Sequence, residues 1–254
     1  MGEINMMTWN VDWCRNGKRS GKDYEYIYSD CSQDICDSII NIVKGFLEKE
    51  NAVVFLQEFP YMRFADKKGM IEHELWQRLN FAFSNIKYDI FFDKTNKNVL
   101  RYTIAIAKKD VFTKDKDFNF GNNRIISVKK AGVTLMGVHM PTDFENNSSE
   151  ERMWLKLIES LEKCSHSKQP LIITGDFNAF IGCNDVNANK LYGRLKAYTE
   201  DVVPPLLKTF ADITTVDHIL INNAVIKTIS KCSLDFEMKR KYSDHRYLIA
   251  KFME

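Results

Sequence analysis

The chain has 254 residues, 44% of them hydrophobic. That suffices for a sizeable core in one α/β domain spanning 1–254, and no repeat, low-complexity segment or linker divides it. Lysine and arginine number 36 against 34 acids, so the net charge is +2, short of the broad basic footprint of a generic nucleic-acid binder. No apolar run approaches the ~18 residues of a bilayer span. The start, "MGEINMMTWNV", lacks a charged-then-apolar leader. The six scattered cysteines form no CxxC pair. These features argue against a membrane or zinc-site protein; the expectation is a cytoplasmic monomer with reduced thiols.

A first strand is expected in "INMMTWNVD", followed by a polar loop from 14 to 33. "DICDSIINIVKGFLEKE", 34 to 50, carries Ile35, Ile39, Ile42, Val43, Phe46 and Leu47 at helical spacing. "AVVFLQEF", 52 to 59, reads as a short apolar strand, and "MIEHELWQRLNFAFSNI", 70 to 86, as a second amphipathic helix that includes His73. Strand-like runs follow at 88–92, 102–108, 124–130 and 133–140, with "KKAG" as a hairpin turn between the last two. A third helix is expected over 148–165, with Ser148 or Ser149 as N-cap and Glu151 in its first turn. The strand "LIITGDFN" leads into a mixed stretch from 183 to 208. "TTVDHILIN", "IKTISKCSLD" and "SDHRYLIAKF" are three more strands. Hairpins mixed with crossovers point to two sheets rather than one doubly wound parallel sheet.

Polar side chains interrupt or end these apolar runs. They are Asn10, Glu58, His139, Asp176, Asn178, Asp217, Asp244 and His245. Singly, each is an ordinary cap, turn or solvated residue. As a set they would be costly to bury without partners or a metal, and strand ends are where a rigid sheet offers side chains to one cleft. Period-2 alternation puts Asp176 and Asn178 on one side of their strand. It turns His218, next to Asp217, to the opposite face as a structural residue.

The series "TWNV", "LQE", "GVHMP", "GDFNA", "VDHIL" and "SDH", in that order from Thr8 to His245, resembles the signature of the endonuclease/exonuclease/phosphatase superfamily. That group includes pancreatic-type deoxyribonucleases, abasic-site endonucleases, inositol polyphosphate 5-phosphatases, bacterial sphingomyelinases and deadenylases. The resemblance implies a four-layer α/β/β/α sandwich of two mostly antiparallel sheets flanked by helices. It implies phosphate ester hydrolysis with Mg2+, or Mn2+ in its place, since a hard cation takes oxygen ligands and keeps several waters. Glu58 is the implied metal ligand, completed or supported by Asn10 and Asp244. His245 is the implied catalytic histidine, oriented by Asp217. Asp176 and Asn178 would position or deprotonate the attacking water, and the base is either Asp176 or His245. His139 matches the histidine with which deoxyribonuclease-like members contact the scissile phosphate; abasic endonucleases usually place a tyrosine there. The acid that supports this histidine in deoxyribonucleases has no motif here, though Asp93 and Asp110 fall nearby.

Arg124, Thr142 and the basic run at 239–241 are further phosphate-binding candidates, weighed against a turn role for Thr142 and a solvated charge run for the last. Tyr192, Arg194 and Tyr198 either stack on bases in a groove or belong to a helix packed on the body. The expected activity is a nuclease on DNA or RNA, with nucleic acid as the partner. The alternative is a phosphatase or phosphodiesterase acting on a small-molecule or lipid phosphate ester. A non-catalytic scaffold fits poorly with intact Glu58, Asp176, Asn178, Asp244 and His245.

Overall fold

The computed structural model describes residues 2–14, 32–64, 70–84, 87–93, 99–118, 120–142, 144–180, 186–237 and 242–253. In chain order the elements begin with β1 (Ile4–Asn10), α1 (Gln33–Leu47), β2 (Ala52–Pro60), β3 (Met62–Phe64), β4 (Met70–Glu72) and α2 (Glu74–Phe83). Then come β5 (Tyr88–Phe91), β6 (Arg101–Lys108), β7 (Thr113–Lys114), β8 (Ile125–Lys130), β9 (Val133–His139) and α3 (Ser149–Ser167). The last are β10 (Leu171–Asp176), α4 (Val186–Lys196), β11 (Thr199–Asp201), β12 (Asp217–Asn222), α5 (Asn223–Ile226), β13 (Lys231–Phe236) and β14 (Leu248–Met253).

Among the described residues the strands form two six-stranded sheets, β13-β14-β1-β2-β6-β5 and β11-β12-β10-β9-β8-β7, and the pair β3-β4. Each large sheet holds one parallel pair, β1 with β2 and β9 with β10. A parallel pair needs a crossover, and α1 and α3 supply it. Val53 and Phe55 of β2 face Ile126, Val128 and Leu135 of the other sheet. Their neighbours Val54 and Leu56 turn outward beneath Ile39 and Val43 of α1 and Trp76 of α2. On the far side, Met136, Val138 and Ile173 pack under Trp154 and Leu157 of α3 and Leu191 of α4. The result is the expected four-layer sandwich. Central strands are covered on both faces, so every residue of β1 and β10, and every residue of β2 except Glu58, is buried. The sheets approach closely at Gly137, where a Cβ would collide with the Phe55 ring.

Local signals explain most boundaries. Ser148 caps α3 by accepting from the Glu151 N–H at 3.1 Å. The turn between β8 and β9 places Ala131 and Gly132 at φ 48° and 81°, the mirror-image turn that suits a two-residue hairpin. Several boundaries differ, among them the starts of β12 at Asp217 and of β14 at Leu248. The 70–86 helix begins only at Glu74, because Met70–Glu72 pairs with Met62–Phe64. The "IKTISKCSLD" strand begins at Lys231, because Asn222 caps a single helical turn before it. The 183–208 stretch contains α4 and β11. Cys14, Cys36, Cys164 and Cys232 are free thiols, while Cys31, Cys183 and the basic run at 239–241 lie outside the described residues. No described helix is long and apolar enough to cross a membrane.

His73 lies not within α2 but at its N-cap, where its Nδ1 accepts from the Leu75 N–H at 3.1 Å. Burial pushes its pKa below the ordinary value of 6.5. The neutral ring is therefore the folded-state form, and its stabilisation is full above pH 6.5 and lost as pH falls below that. In urea unfolding, wild-type stability should drop relative to His73→Asn, a non-titrating cap, as pH goes from 7.5 to 5. Parallel pH dependences for the two proteins would refute this role.

Candidate active site

Three adjacent strands of the second sheet end in register. His139 of β9 pairs with Asp176 of β10, and Asp176 pairs with Asp217 of β12. From the facing sheet, Asn10 at the end of β1 donates its Nδ2 to Asp176 Oδ2 at 2.9 Å and accepts the Asp12 N–H on Oδ1 at 3.0 Å. Asp176 is 1% exposed. Its Oδ1 accepts the Asn178 N–H at 2.8 Å, and Asn178 Nδ2 donates to the Met140 carbonyl at 2.9 Å. Asp176 and Asn178 thus meet, but through a turn rather than strand alternation: β10 ends at Asp176, and Asn178 has φ 51°. Gly175 makes the turn possible. Its φ is 134°, and a Cβ there would strike the Val138 carbonyl oxygen.

His245 is held from several sides. Its Nδ1–H donates to Asp217 Oδ2 at 2.8 Å, and its Nε2 stands 3.8 Å from both Asp176 Oδ2 and Asp244 Oδ1. The Ser243 hydroxyl donates to the Asn10 carbonyl at 2.6 Å and accepts the His245 N–H at 3.1 Å. Trp9 Nε1 donates to the His245 carbonyl at 3.3 Å. Burial alone would lower the His245 pKa, but Asp217, then Asp176 and Asp244, push it up to about 10. Burial lifts Asp176 to about 7; His245 pulls it down and Asp217 adds to the rise. A charged imidazole therefore faces a carboxyl poised between its two forms.

Beside this cluster lies a cleft of about 600 Å³, lined in part by Glu58, Arg101, Arg124, His139, Thr142 and Asn178. Thr142 is exposed there. Glu58 sits at the register shift of β2 between Leu56 and Phe59, with φ 56°. Its Oε1 is 3.1 Å from His139 Nε2 and its Oε2 is 2.6 Å from Arg101 Nη1. Burial would raise the Glu58 pKa, but Arg101 and then His139 hold it well below the carboxylate range. Burial pushes His139 down to about 4 against the pull of Glu58, with Arg124 and Arg101 adding to the fall. Arg124 Nη1 lies 3.4 Å from His139 Nδ1. A guanidinium only donates, so the neutral ring accepts at Nδ1 and donates from Nε2 to Glu58. Glu58 is thus a carboxylate that supports His139. Asp110 lies in an exposed turn with its N–H on Asp89, and Asp93 is buried near Tyr102.

The sequence carried no signal for Arg101, Trp13 or Ser243. The Arg101 guanidinium lies 5.1 Å above the Trp13 ring. Trp13 belongs to a turn in which Asp12, Trp13 and Cys14 have φ of 41°, 56° and 60°. Left-handed non-glycine residues cost about 1–3 kcal/mol each and persist where surroundings over-determine them. Tyr192 and Tyr198 follow the packed-helix alternative. Tyr192 is buried with its hydroxyl on Asp201 at 3.0 Å, and Tyr198 donates to Glu162 at 3.0 Å. His218 points away from Asp217 and bonds Asp201 and the Ala179 carbonyl, at 2.7 and 3.0 Å.

Among the described residues no three His, Cys, Asp or Glu side chains form a ready metal cage. The donors present nevertheless fit a hard divalent cation. Glu58 is ionised and faces the cleft, and such an ion needs only one or two carboxylates beside its waters. Asn10 serves as a support, since both ends of its amide are engaged.

Fold and site together are those of a phosphate ester hydrolase. Residues 7–245 match the Endonuclease/Exonuclease/phosphatase family, and the chain belongs to it. Members are phosphoesterases that generally depend on a divalent metal. An AP endonuclease from Archaeoglobus fulgidus is similar at 19% identity and TM-score 0.60, over 98% of this chain and 99% of that one. The 3'-5' exonuclease NExo from Neisseria meningitidis is similar at 16% and 0.61, over 99% and 100%. An endonuclease/exonuclease/phosphatase from Bacteroides vulgatus is similar at 16% and 0.63, over 100% of both chains. These likenesses establish the fold. No curated protein matches in sequence.

The turn at Gly175 gives a direct test. Gly175→Ala should lose at least ~2 kcal/mol in urea unfolding, through φ strain and collision with Val138. Wild-type stability in that variant would show that the backbone there is not constrained.

Proposed function

We propose that the protein is a Mg2+-dependent phosphodiesterase that cleaves nucleic acid, DNA or RNA. One observation carries the reading: His245, bonded to Asp217, faces Asp176 across 3.8 Å beside a cleft with two arginines. Asp176, with a pKa of about 7, takes the proton of the attacking water. His245 presents its Nε2–H to the same space and stabilises charge gathering on the phosphoryl oxygens. Neutral His139 and charged Arg124 line the wall where the phosphate rests. Glu58, supported by Asn10 and Asp244, would hold a divalent cation, which would supply further charge neutralisation for the phosphate. The choice of nucleic acid is supported by likeness to an AP endonuclease and to NExo, which has also been solved as a 3' phosphatase bound to a product DNA hairpin.

Plasmid, single-stranded DNA, RNA and a phosphomonoester should be offered with Mg2+ and then with EDTA. Polymers should be cut, EDTA should abolish cutting, and excess Mg2+ should restore it. Asp176→Ala and His245→Ala should each lower kcat by about a hundredfold or more while circular dichroism stays native. Phosphate release from the monoester alone would replace the nuclease reading with a small-molecule phosphatase. Full turnover in either variant would remove that residue from the site.

A pH profile separates the roles further. Asp217 raises the His245 pKa, so the charged form survives to about pH 10. Without that carboxylate the charge is lost at lower pH. The alkaline limb of kcat/KM should therefore move downward in Asp217→Asn, and an unmoved limb would show that the His245 charge is not used.

A further inference from the structure

We propose that Arg101 and Arg124 form a two-arginine anion subsite in the cleft, which holds a phosphate group of the substrate, with the Trp13 ring presenting Arg101 to it. The proposal rests on the phosphoesterase reading above and assigns Arg101 and Trp13 to that site. Both guanidinium groups line the same cleft. Arg124 contacts the Nδ1 and carbonyl oxygen of His139 at 3.4 and 3.5 Å, and neither is a carboxylate. Arg101 engages one oxygen of Glu58 through one nitrogen, with its side chain 28% exposed. Most of its five donors remain for another partner. Glu58 is the carboxylate in direct contact with Arg101 and also bonds His139, while Arg124 feels Glu58, Asp176 and Glu150 only through space. Glu145 and Glu150 also line the cleft, but Glu145 is exposed and a Glu150 oxygen already accepts the Ser149 hydroxyl at 2.8 Å.

The second line of argument is the turn that carries Trp13. A permanent ion pair between Arg101 and Glu58 requires neither an aromatic support nor three consecutive left-handed residues. A guanidinium that must offer a fixed plane to a tetrahedral anion benefits from both. The ring holds the plane, and the free edge keeps the fork geometry that matches phosphate oxygens. Burial, and then the Arg101 charge, hold the Arg124 pKa below its ordinary value, so the two cations repel across the cleft. An anion between them relieves that repulsion.

The test uses the full chain in EDTA, with binding of a labelled single-stranded oligonucleotide followed by fluorescence anisotropy over a range of salt, and with inorganic phosphate as competitor. Arg101→Met and Arg124→Met should each weaken binding about tenfold and lower the salt slope by about one. Arg101→Lys should recover only part of the loss, because an ammonium neither forks nor stacks flat. Trp13→Leu, which keeps every charge, should lose affinity without a change in slope. If Arg101→Met does not fold, Arg101→Lys and Trp13→Leu carry the test. Wild-type affinity and slope in a folded Arg101 variant would overturn the subsite and leave Arg101 a partner of Glu58 alone. Cleavage of nucleic acid together with that result would keep the nuclease reading and discard the subsite. Arg101-dependent binding of inorganic phosphate by a protein that cuts no polymer would keep the subsite and discard the nuclease reading.

Discussion

The hydrogen bond from Asn10 to Asp176 helps join the two sheets at their polar ends, beside the contacts of Glu58 with His139 and of His245 with Asp217. It sets the terms for the rest of the site. A carboxylate taken out of water carries an effective penalty of several kcal/mol unless its lone pairs are answered. Asp176 is fully enclosed, and its neighbour across the strand is a second acid, Asp217. It is answered by an amide from the facing sheet, an N–H from its own turn and the charge of His245. The amide of Asn10 keeps its place only while the sheets hold their mutual position, and the sheets come close where Gly137 lets the Phe55 ring lie against the second sheet. A slip of one residue in β1 would turn Asn10 to the other face and leave Asp176 short of a donor.

Regular strands alone would not aim the remaining side chains. Leu56 and Phe59 both belong to the helix-side cluster although three positions separate them, where simple alternation would place them on opposite faces. Glu58 is the extra residue that corrects the phase. The irregularity gives it φ 56° and turns its carboxylate toward His139. Asn178 takes a similar left-handed conformation one step beyond β10, and Asp12 to Cys14 do so one step beyond β1. Five of the twelve left-handed non-glycine residues described, Asp12, Trp13, Cys14, Glu58 and Asn178, lie at these strand ends, where bulges and turns re-aim side chains.

Much of this was legible in the sequence. Apolar runs that end in Asn10, Glu58, His139 or Asp176 stand out because buried strands rarely tolerate such residues, and the order of the motifs pointed to the sandwich. The pairing of Asp176 with Asn178 was visible for an incomplete reason, since a turn brings them together and not the pleat. Arg101 was invisible because a cation before an apolar run looks like an ordinary strand edge. Its meaning comes from pairing opposite Pro60, which delivers it to Glu58. Trp13 sat in a polar stretch that reads as loop, and nothing in the residues before it announces a left-handed turn. His73 was lost inside a helical periodicity because histidine is not a common cap. Tyr192 and Tyr198 fitted two readings, and only the partners Asp201 and Glu162 separate them.

The two site histidines show how charge is divided within one small volume. Both are buried, and burial works against the charged form in both. His245 has carboxylates at 2.8 and 3.8 Å and becomes a cation. His139 has carboxylates at 3.1 and 3.9 Å but also two guanidinium groups nearby, and burial keeps it neutral. Three carboxylates overcome burial at His245, whereas Glu58 does not overcome it at His139, where the arginines add to the fall. Arg101 and Arg124 bring cations to the cleft on the side of β6 and β8, beside Glu58, while Asp176 and Asp217 lie together on β10 and β12. On the proposed reading, an incoming anion would meet the first group and proton transfer would take place at the second. Environments that push the pKa values of like groups apart are how a single fold keeps binding and acid–base chemistry in separate hands.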